Sequence, residues 1–344
     1  MSTRRLSVEP FFKYLLTWLD EHTVQDAPVG SYMRRTLDPQ LRCVDAYSSA
    51  DAADICYTIG ILPLEAAARE EWAAVLQSFQ EPESGLFSDP SHHTDHTTAY
   101  AIAALELLDA RPVFRLTAYD KLKSQGAIES FLDNLDWENN PWQVGHRGAG
   151  VASSLAITWE AGKEWFDAYF DWLDGEHDPQ TGFLRKGVKN KRVPSHHPDD
   201  IAPILPAMAG TFHFHFVYHY FRRPFPYPEA MIDNTLKLQL EDGTFHSPGS
   251  FGFAELDAVF SLGRAVRQCG HRFDEVMQAL EKLAVSAVGW ANDPQWLGEQ
   301  KSHLDDTHWM AGVVFCLAEL QTLVPGLIDS PVPMKNVLDR RPFV

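Results

Sequence analysis

Residues 72–87 read WAAVLQSFQEPESGLF, and the same plan recurs at residues 165–183 (WFDAYFDWLDGEHDPQTGF) and 231–245 (MIDNTLKLQLEDGTF). Each stretch begins with the apolar spacing of an amphipathic helix and continues into acidic or proline-containing turn residues. Each ends in a glycine followed, directly or one residue later, by phenylalanine. Glycine permits the left-handed backbone that ends a helix, and the phenylalanine can pack back on the core. These stretches therefore predict a repeated helix–turn unit.

After each turn the sequence predicts a second helix, rich in alanine and glycine and apolar on most faces. Such helices are typical of positions buried on all sides. The intervening segments, such as residues 121–135 and 273–288, carry a charged face and predict an outer layer. Because the pattern repeats every fifty residues or so without a strand signal, it predicts an all-α fold, an (α/α)6 toroid of six helical hairpins. The buried helices begin near anchors spaced 48 to 60 residues apart: Tyr47, Asp95, Arg147, Ala207, Glu255 and Asp305.

The domain organisation follows from the continuity of this repeat. It crosses the middle of the chain without a linker, which predicts a single toroid domain over residues 1–344. Residues 325–344 contain four prolines, which end helices because proline has no backbone N–H. We therefore expect these residues to form a tail that wraps the outside.

Charge and composition exclude several classes of partner. A net charge of −18 argues against binding to nucleic acid or to an anionic membrane surface, since both need a basic surface. The sequence contains no apolar run of the roughly 20 residues that a membrane span needs, and no signal peptide is recognised. The four cysteines show no metal-type spacing and indicate a cytoplasmic protein with free thiols. A small molecule or an oligosaccharide is the expected substrate, and the oligomeric state is left open.

In such a toroid the loops before the inner helices lie at one end. The helix N-termini also point there, which favours bound anions. One carboxylate per helix is enough for an N-terminal cap, yet many of these positions carry two to four His, Asp or Glu residues. The excess predicts a catalytic or binding site, with capping as the alternative for individual residues. The catalytic candidates are Asp305, Asp257, His308, His303 and Asp306; the substrate-binding candidates are Asp95, His96, His146 and Arg147; Asp51, Asp54, His92, His93 and Glu255 occupy equivalent positions.

Aromatic residues lie in or next to the same segments. Core packing accounts for most aromatic residues at helical spacing. As a group at a cavity mouth, however, they can stack on sugar rings or stabilise a carbocation through their π faces. We therefore add Trp142 and Trp309 to the substrate-binding candidates, beside Phe212, Phe214, Phe251 and Phe253.

Two further features allow both a structural and a functional interpretation. The basic loop at residues 185–192 is either a solvated surface loop or a phosphate or carboxylate clamp that uses Arg185 and Lys186. His215 and His219 share a helix face at the i, i+4 spacing that metals use, and His213 lies close by. Because no glutamate completes an HExxH motif, core histidines are the favoured interpretation. No residue is assigned to a metal, the cofactor is left open, and a divalent cation is allowed.

Residues 80–87 (QEPESGLF) and 239–245 (QLEDGTF) resemble the Gln–…–Gly–aromatic repeat of the terpenoid cyclase and protein prenyltransferase superfamily. The resemblance covers roughly residues 45–322 and implies a toroid with its active site in the central cavity. Zinc prenyltransferases of that superfamily carry an Asp, a Cys two residues later and a distant His. Asp257 and His308 match, but Val259 stands where the Cys belongs, so zinc is not expected at that position.

Residues 303–307 (HLDDT) are similar to the Asp–x–Asp–Asp–Thr motif of class II terpene cyclases, whose central Asp protonates an alkene. The resemblance implies that Asp305 is the acid, followed by Asp306, with His303 in place of the first Asp. A carboxylic acid held protonated in an apolar pocket can act as a general acid, and His303 or His308 would orient it.

Three functions are compatible with the sequence. The first is an enzyme that uses Asp305 or Asp257 as general acid or base on an isoprenoid-like substrate. The second is a carbohydrate-active enzyme (a glycoside hydrolase, lyase or epimerase) on the same toroid. The third is a non-catalytic binding scaffold. The polarity of the cavity distinguishes the first two, because apolar walls favour an isoprenoid and an open groove lined by His, Asp and Trp favours a sugar.

Overall fold

The computed structural model describes residues 5–38, 40, 42–191 and 195–344. Within them helices form nearly all of the regular structure, and the two-residue strands β1 (Leu6–Ser7) and β2 (Ile328–Asp329) pair in parallel. The predicted all-α fold is confirmed. In chain order the α-helices are α1 (Glu9–His22), α2 (Ala46–Thr58), α3 (Ala66–Gln77), α4 (Thr94–Leu107), α5 (Ala127–Asp133), α6 (Pro141–Thr158), α7 (Lys163–Glu176), α8 (Ile204–Tyr220), α9 (Pro228–Leu236), α10 (Phe253–Cys269), α11 (Phe273–Ala291), α12 (Pro294–Glu299), α13 (Lys301–Leu304) and α14 (Thr307–Leu323).

Six of the described helices, α2, α4, α6, α8, α10 and α14, form what we call the inner ring. Each contacts the next along the chain, and α14 contacts α2, so the contacts close into a cycle. Most of their residues are buried, as their alanine- and glycine-rich sequences predict. A closed cycle of buried helices is compatible with the inner layer of a toroid, and the toroid arrangement itself stays a prediction.

Helices α1, α3, α5, α7, α9 and α11 bury one face and expose the other. One prediction about boundaries needs correction. Residues 121–135 do not form one outer helix, because a 3₁₀ segment ends at Leu122 and α5 starts at Ala127, after Gly126 adopts a φ of +74°. The last inner helix, expected to begin near Asp305, is α14, which begins at Thr307 after the short helices α12 and α13. Among the helices described, none has both the length and the apolar character needed to span a membrane.

The glycines of the repeated turns adopt the left-handed conformation that the sequence predicts. The φ angles are +75° at Gly85, +78° at Gly182 and +97° at Gly243. In the turns at Gly85 and Gly243, a preceding glutamine holds the turn together. Gln80 donates from Nε2 to the Gly85 carbonyl (2.7 Å), and Gln239 donates from Nε2 to the Gly243 carbonyl (3.1 Å). Each glutamine therefore fixes the chain where a repeat turns from one helix to the next.

Two glycines allow α6 and α8 to pack with their backbones in direct contact. A Cβ atom added at Gly145 would lie 2.3 Å from the carbonyl oxygen of Gly210, and one added at Gly210 would lie 2.3 Å from the Pro141 carbonyl oxygen. Gly150 has the same role between α6 and α4, where an added Cβ would lie 2.5 Å from the Asp95 carbonyl oxygen. The three helices are therefore close enough for short side chains to meet across them.

The C-terminal tail does not wrap the outside, and that prediction is wrong for the last residues. Arg341, Phe343 and Val344 are buried. Arg341 forms an ion pair with Asp54 of α2, and the Phe343 ring lies 4.9 Å, centroid to centroid, from that of His96 in α4. Phe343 and Val344 are apolar, and Arg341 has a buried acidic partner, so all three are stabilised inside the inner ring. The prolines alone had indicated a surface tail.

Candidate active site

A cavity of about 410 Å³ lies where the N-terminal turns of α4, α6, α10 and α14 meet the middle of α8. We call it the central cavity. The sequence placed the active site among the same helix N-termini, and many of its candidates do line this space. The predicted residues that line the central cavity are His96, Trp142, His146, Asp257, His303, Asp306, His308 and Trp309.

Asp305, the first candidate for a general acid, does not line the central cavity. Its Oδ1 accepts hydrogen bonds from the backbone N–H (3.0 Å) and hydroxyl (2.6 Å) of Thr36, and its Oδ2 accepts one from the Leu37 N–H (3.0 Å). It borders a separate hollow beside α1, lined also by Trp18 and His22. The Asp305 carboxylate thus anchors the chain before α2, and its side chain points away from that of Asp306.

Asp306 lines the central cavity but is held by two arginines. Its Oδ1 lies 3.3 Å from Nε of Arg34, and its Oδ2 lies 2.6 Å from Nη2 of Arg35. Burial acts to raise the pKa of Asp306, but the arginine charges and hydrogen bonds outweigh it and hold the pKa below its ordinary value. Oδ1 also accepts the His308 N–H at 3.0 Å, so Asp306 caps α14. Both arginines line the cavity and were missed, because they lie in an irregular segment without periodicity.

Asp95 and Arg147 form an ion pair outside the cavity lining, with 3.2 Å between Nε and Oδ2. Tyr119 donates its hydroxyl to Oδ1 of Asp95 at 3.1 Å, so this carboxylate links α4, α6 and the segment before α5. Its neighbour on α4, His96, lies in the cavity instead. Of the two adjacent candidates, Asp95 therefore has a packing role, and His96 lines the cavity.

The basic loop lies away from the central cavity. Arg185 pairs through Nε with Oε2 of Glu176 (2.9 Å) and also with Asp133, both on outer helices. Lys186 is exposed, and Arg192 lies outside the described residues. Neither Arg185 nor Lys186 lines the cavity, whereas Arg34 and Arg35 do.

His308 is oriented by a buried carboxylate. Its Nδ1 lies 3.0 Å from Oδ1 of Asp51, which is fully buried and also accepts hydroxyl hydrogen bonds from Tyr100 (2.6 Å) and Thr307 (2.7 Å). A carboxylate at Nδ1 places the ring proton there and leaves Nε2 with a free lone pair. Since His308 lines the central cavity, Nε2 is the nitrogen available to a ligand.

Asp257 presents the cavity with a carboxyl group that is almost unsolvated. Its side chain is 1% exposed, and Oδ2 has no hydrogen-bond partner among the described residues. Burial, reinforced by the negative charge of Glu255, raises the pKa of Asp257 well above its ordinary value. Burial therefore favours the protonated, neutral form of Asp257, which is the form that can donate a proton.

Glu255 also lines the cavity, but its oxygens are occupied by backbone donors. They accept the N–H groups of Phe245 (3.2 Å), His246 (3.2 Å) and Gly252 (3.0 Å). Burial raises the pKa of Glu255 to about 7, against the lowering effect of these bonds. Glu255 therefore fixes the loop before α10, whereas Asp257 lines the cavity and keeps one carboxyl oxygen without a hydrogen-bond partner among the described residues.

Several imidazoles meet on the opposite wall. His96, His146 and His213, from α4, α6 and α8, each offer a ring nitrogen, and these atoms lie within 4.8 Å of one another. His92 and His308 lie beside them. The i, i+4 pair weighed from the sequence is separated: His215 hydrogen-bonds to His177 (3.2 Å) and His219 to Asp339 (3.1 Å). The sequence contained one signal for this cluster. His96 and His146 lie near the starts of the inner helices α4 and α6, and His213 lies within the next inner helix, α8.

The remaining walls are aromatic or apolar. Phe212, Phe253 and Trp142 line the cavity, together with the C-terminal Val344. Trp309 stands at the rim, 41% exposed, with its ring 5.2 Å from that of His303. The central cavity thus combines an apolar face, a proton donor, an oriented imidazole and a histidine cluster. No family model, curated protein or solved structure matches this chain.

Proposed function

We propose that the protein is an enzyme that carries out acid–base chemistry on a small, largely apolar molecule bound in the central cavity. The observation that carries the proposal is the Asp51–His308 pair, in which a fully buried carboxylate orients an imidazole at the cavity wall. Catalytic bases are commonly held in this way, by a third group that sets the tautomer and stabilises the imidazolium. A volume of about 410 Å³ is in the range of small-molecule sites.

His308 and Asp257 supply complementary functions in this proposal. His308 removes a proton through Nε2, and Asp51 stabilises the positive charge that results. Asp257, whose protonated form is favoured by burial, donates a proton to another atom of the same substrate. Removal at one position and delivery at another is the chemistry of an isomerase or lyase. Of the two acids expected from the sequence, Asp305 and Asp257, the proposal therefore keeps Asp257.

The aromatic walls support an isoprenoid-like substrate over a sugar. The π faces of Phe212, Phe253 and Trp142 stabilise developing positive charge and exclude water. Arg34 and Arg35, at the edge of the same cavity, are the groups that would meet a phosphate or carboxylate on such a substrate.

A glycoside hydrolase fits the site less well. Hydrolysis of a glycosidic bond commonly needs two working carboxyl groups. Glu255 is engaged by three backbone N–H groups and Asp306 by two arginines, which leaves Asp257 alone. A sugar epimerase or lyase is the second candidate, because the exposed rim residue Trp309 can stack on a sugar ring.

The experiment is a thermal-shift screen of the full chain against prenyl alcohols, prenyl diphosphates, monosaccharides and oligosaccharides. A ligand at 100 times its Kd stabilises the folded state by about 2.7 kcal/mol, which such a screen detects. Compounds that bind are then tested for turnover with Asp257→Asn, His308→Gln and, as a matched control outside the cavity, Asp305→Asn.

We expect a prenyl compound to bind and to be converted. Turnover should fall by roughly 10²–10⁴-fold in Asp257→Asn and His308→Gln and should be retained in Asp305→Asn. Binding of sugars alone would replace the isoprenoid by the carbohydrate proposal. Equal behaviour of all three variants toward a bound but unconverted ligand would indicate a scaffold and overturn the enzymatic proposal.

A further inference from the structure

Three histidines on consecutive inner-ring helices converge on one point of the central cavity. The ring centroids of His96 and His146 lie 4.2 Å apart, those of His146 and His213 lie 4.6 Å apart, and those of His96 and His213 lie 6.2 Å apart. One nitrogen from each ring lies within 4.8 Å of the other two. The glycine contacts of α6 with α4 and α8 bring the helices this close.

The hydrogen bonds of these rings are compatible with free nitrogen lone pairs. Nδ1 of His213 donates to the Ala209 carbonyl at 2.8 Å, so its Nε2 carries a lone pair. Nδ1 of His96 is paired with the Tyr47 hydroxyl, and in the tautomer in which Nδ1 donates to that oxygen, Nε2 of His96 also carries a lone pair. Nδ1 of His146 is buried without a hydrogen-bond partner among the described residues. Histidines that bind metals are usually held by a hydrogen bond at the other nitrogen, as His213 and His96 are here.

Burial keeps these imidazoles neutral, which is the form that binds a metal ion. His96 and His213 are buried, and Nδ1 of His146 is enclosed as well. Lone pairs that face one another in a buried space are stabilised by a cation between them, and protonation is disfavoured here.

We propose that His96, His146 and His213 form a binding site for a divalent transition-metal ion of the class that prefers imidazole, such as Zn²⁺. Three histidines with a coordination position left open toward a cavity are typical of catalytic rather than structural zinc sites. Nitrogens around Zn²⁺ would lie about 3.3 Å apart, so small rotations of the rings suffice. The site is separate from the Asp257, Val259 and His308 positions, and it does not depend on the proposed reaction.

The test uses the full chain, treated with a chelator and then titrated with Co²⁺ as a spectroscopic probe and with Zn²⁺. Equilibrium dialysis measures the number of ions bound, and the visible Co²⁺ bands report the coordination geometry. The variants are His96→Gln, His146→Gln and His213→Gln. The matched control is His246→Gln, a half-buried histidine that lines the same cavity outside the cluster.

We expect one ion per wild-type chain, with the intense bands of a four-coordinate site. Each cluster variant should weaken binding by at least roughly 10–100-fold, since even the loss of a group that orients a ligand has that effect. His246→Gln should bind like the wild type. X-ray absorption of the Zn²⁺-loaded wild type provides a check that needs no variant and should show nitrogen or oxygen donors without sulfur.

Three results would overturn the proposal. The first is that the wild type binds no more Co²⁺ or Zn²⁺ than a triple variant that carries all three cluster substitutions. The second is sulfur among the zinc ligands, and the third is a loss of metal affinity in His246→Gln as large as that in the cluster variants. Metal binding without any small-molecule ligand would leave this site established and contradict the proposed enzymatic function instead. Far-UV circular dichroism shows whether each variant is folded before its affinity is compared.

Discussion

Nδ1 of His308 lies 3.0 Å from the buried carboxylate of Asp51, and these residues come from the last and the first helices of the inner ring. The hydrogen bond therefore lies at the contact between α14 and α2, where the cycle of helix contacts closes. Thr307 adds a second bond at the same junction, from its hydroxyl to the other carboxylate oxygen at 2.7 Å. The group that orients the proposed base is thus also part of the contact that closes the fold.

Asp51→Asn tests that relationship without a large change of shape. It removes the charge that stabilises an imidazolium at His308, so kcat should fall by roughly 10²–10⁴-fold with little change in KM. A readout that needs no substrate is the rate at which diethyl pyrocarbonate modifies His308, followed by peptide mass spectrometry. That rate should fall in Asp51→Asn and be retained in Asp305→Asn. Equal reactivity in all three proteins would contradict the role given to Asp51.

Arg341→Met should destabilise the fold strongly. The variant leaves Asp54 buried without its cation, and breaking one side of a buried ion pair costs about 3–5 kcal/mol. Arg340→Met is the matched control, because Arg340 pairs with the more exposed Glu106 and Asp109, where an ion pair contributes about 1 kcal/mol or less. Urea unfolding measures both values. A similar small loss in the two variants would show that the tail contributes little to stability.

Acidification should destabilise the protein between pH 6.5 and about 4. Burial lowers the pKa of His92 to about 3 and those of His177 and His213 to about 4, whereas in the unfolded chain they titrate near 6.5. Above pH 6.5 these rings are neutral in both states. Below it only the unfolded chain gains protons, so the free energy of unfolding falls with pH until the folded pKa is reached.

Buried carboxyls oppose this trend over an overlapping window. Burial raises the pKa of Asp54 to about 6 and that of Glu255 to about 7, so each favours the folded state as the pH falls from 7. The buried histidines outnumber these carboxyls, so the net effect of acidification is a decrease in the free energy of unfolding. Each histidine should contribute about 2 kcal/mol between pH 7 and 5. His177→Gln should reduce the pH slope of the melting temperature. A slope of opposite sign would overturn the argument.

The local features of the fold were predictable because they depend on short-range chemistry. Gly85, Gly182 and Gly243 each follow turn residues and precede a phenylalanine, and only a left-handed turn suits all three. The inner helices could be recognised by their lack of a polar face. The tail was placed wrongly because its prolines are a local signal, whereas the partner of Arg341 is Asp54, at the other end of the chain.

The site was predictable only in part, because its geometry depends on long-range contacts and on side-chain direction. Helix N-termini rich in His and Asp indicated the end of the fold at which the central cavity lies. Asp305 and Asp306 are adjacent, yet one binds Thr36 and Leu37 while the other borders the cavity. That difference depends on where α14 begins, and helix boundaries are the weakest part of a prediction from sequence.

Gly145→Ala should weaken both the fold and the histidine cluster. The new Cβ would lie 2.3 Å from the Gly210 carbonyl oxygen, so α6 and α8 must separate, and overpacking of this kind costs about 1–3 kcal/mol. The separation moves His146 away from His213, and Co²⁺ affinity should fall with stability. Gly175→Ala is the matched control, because its Cβ meets nothing within 4 Å and a helical alanine is more stable by about 1 kcal/mol. Urea unfolding and Co²⁺ titration of both variants test this. Undiminished Co²⁺ affinity in a destabilised Gly145→Ala would show that metal binding does not depend on the close packing of α6 and α8.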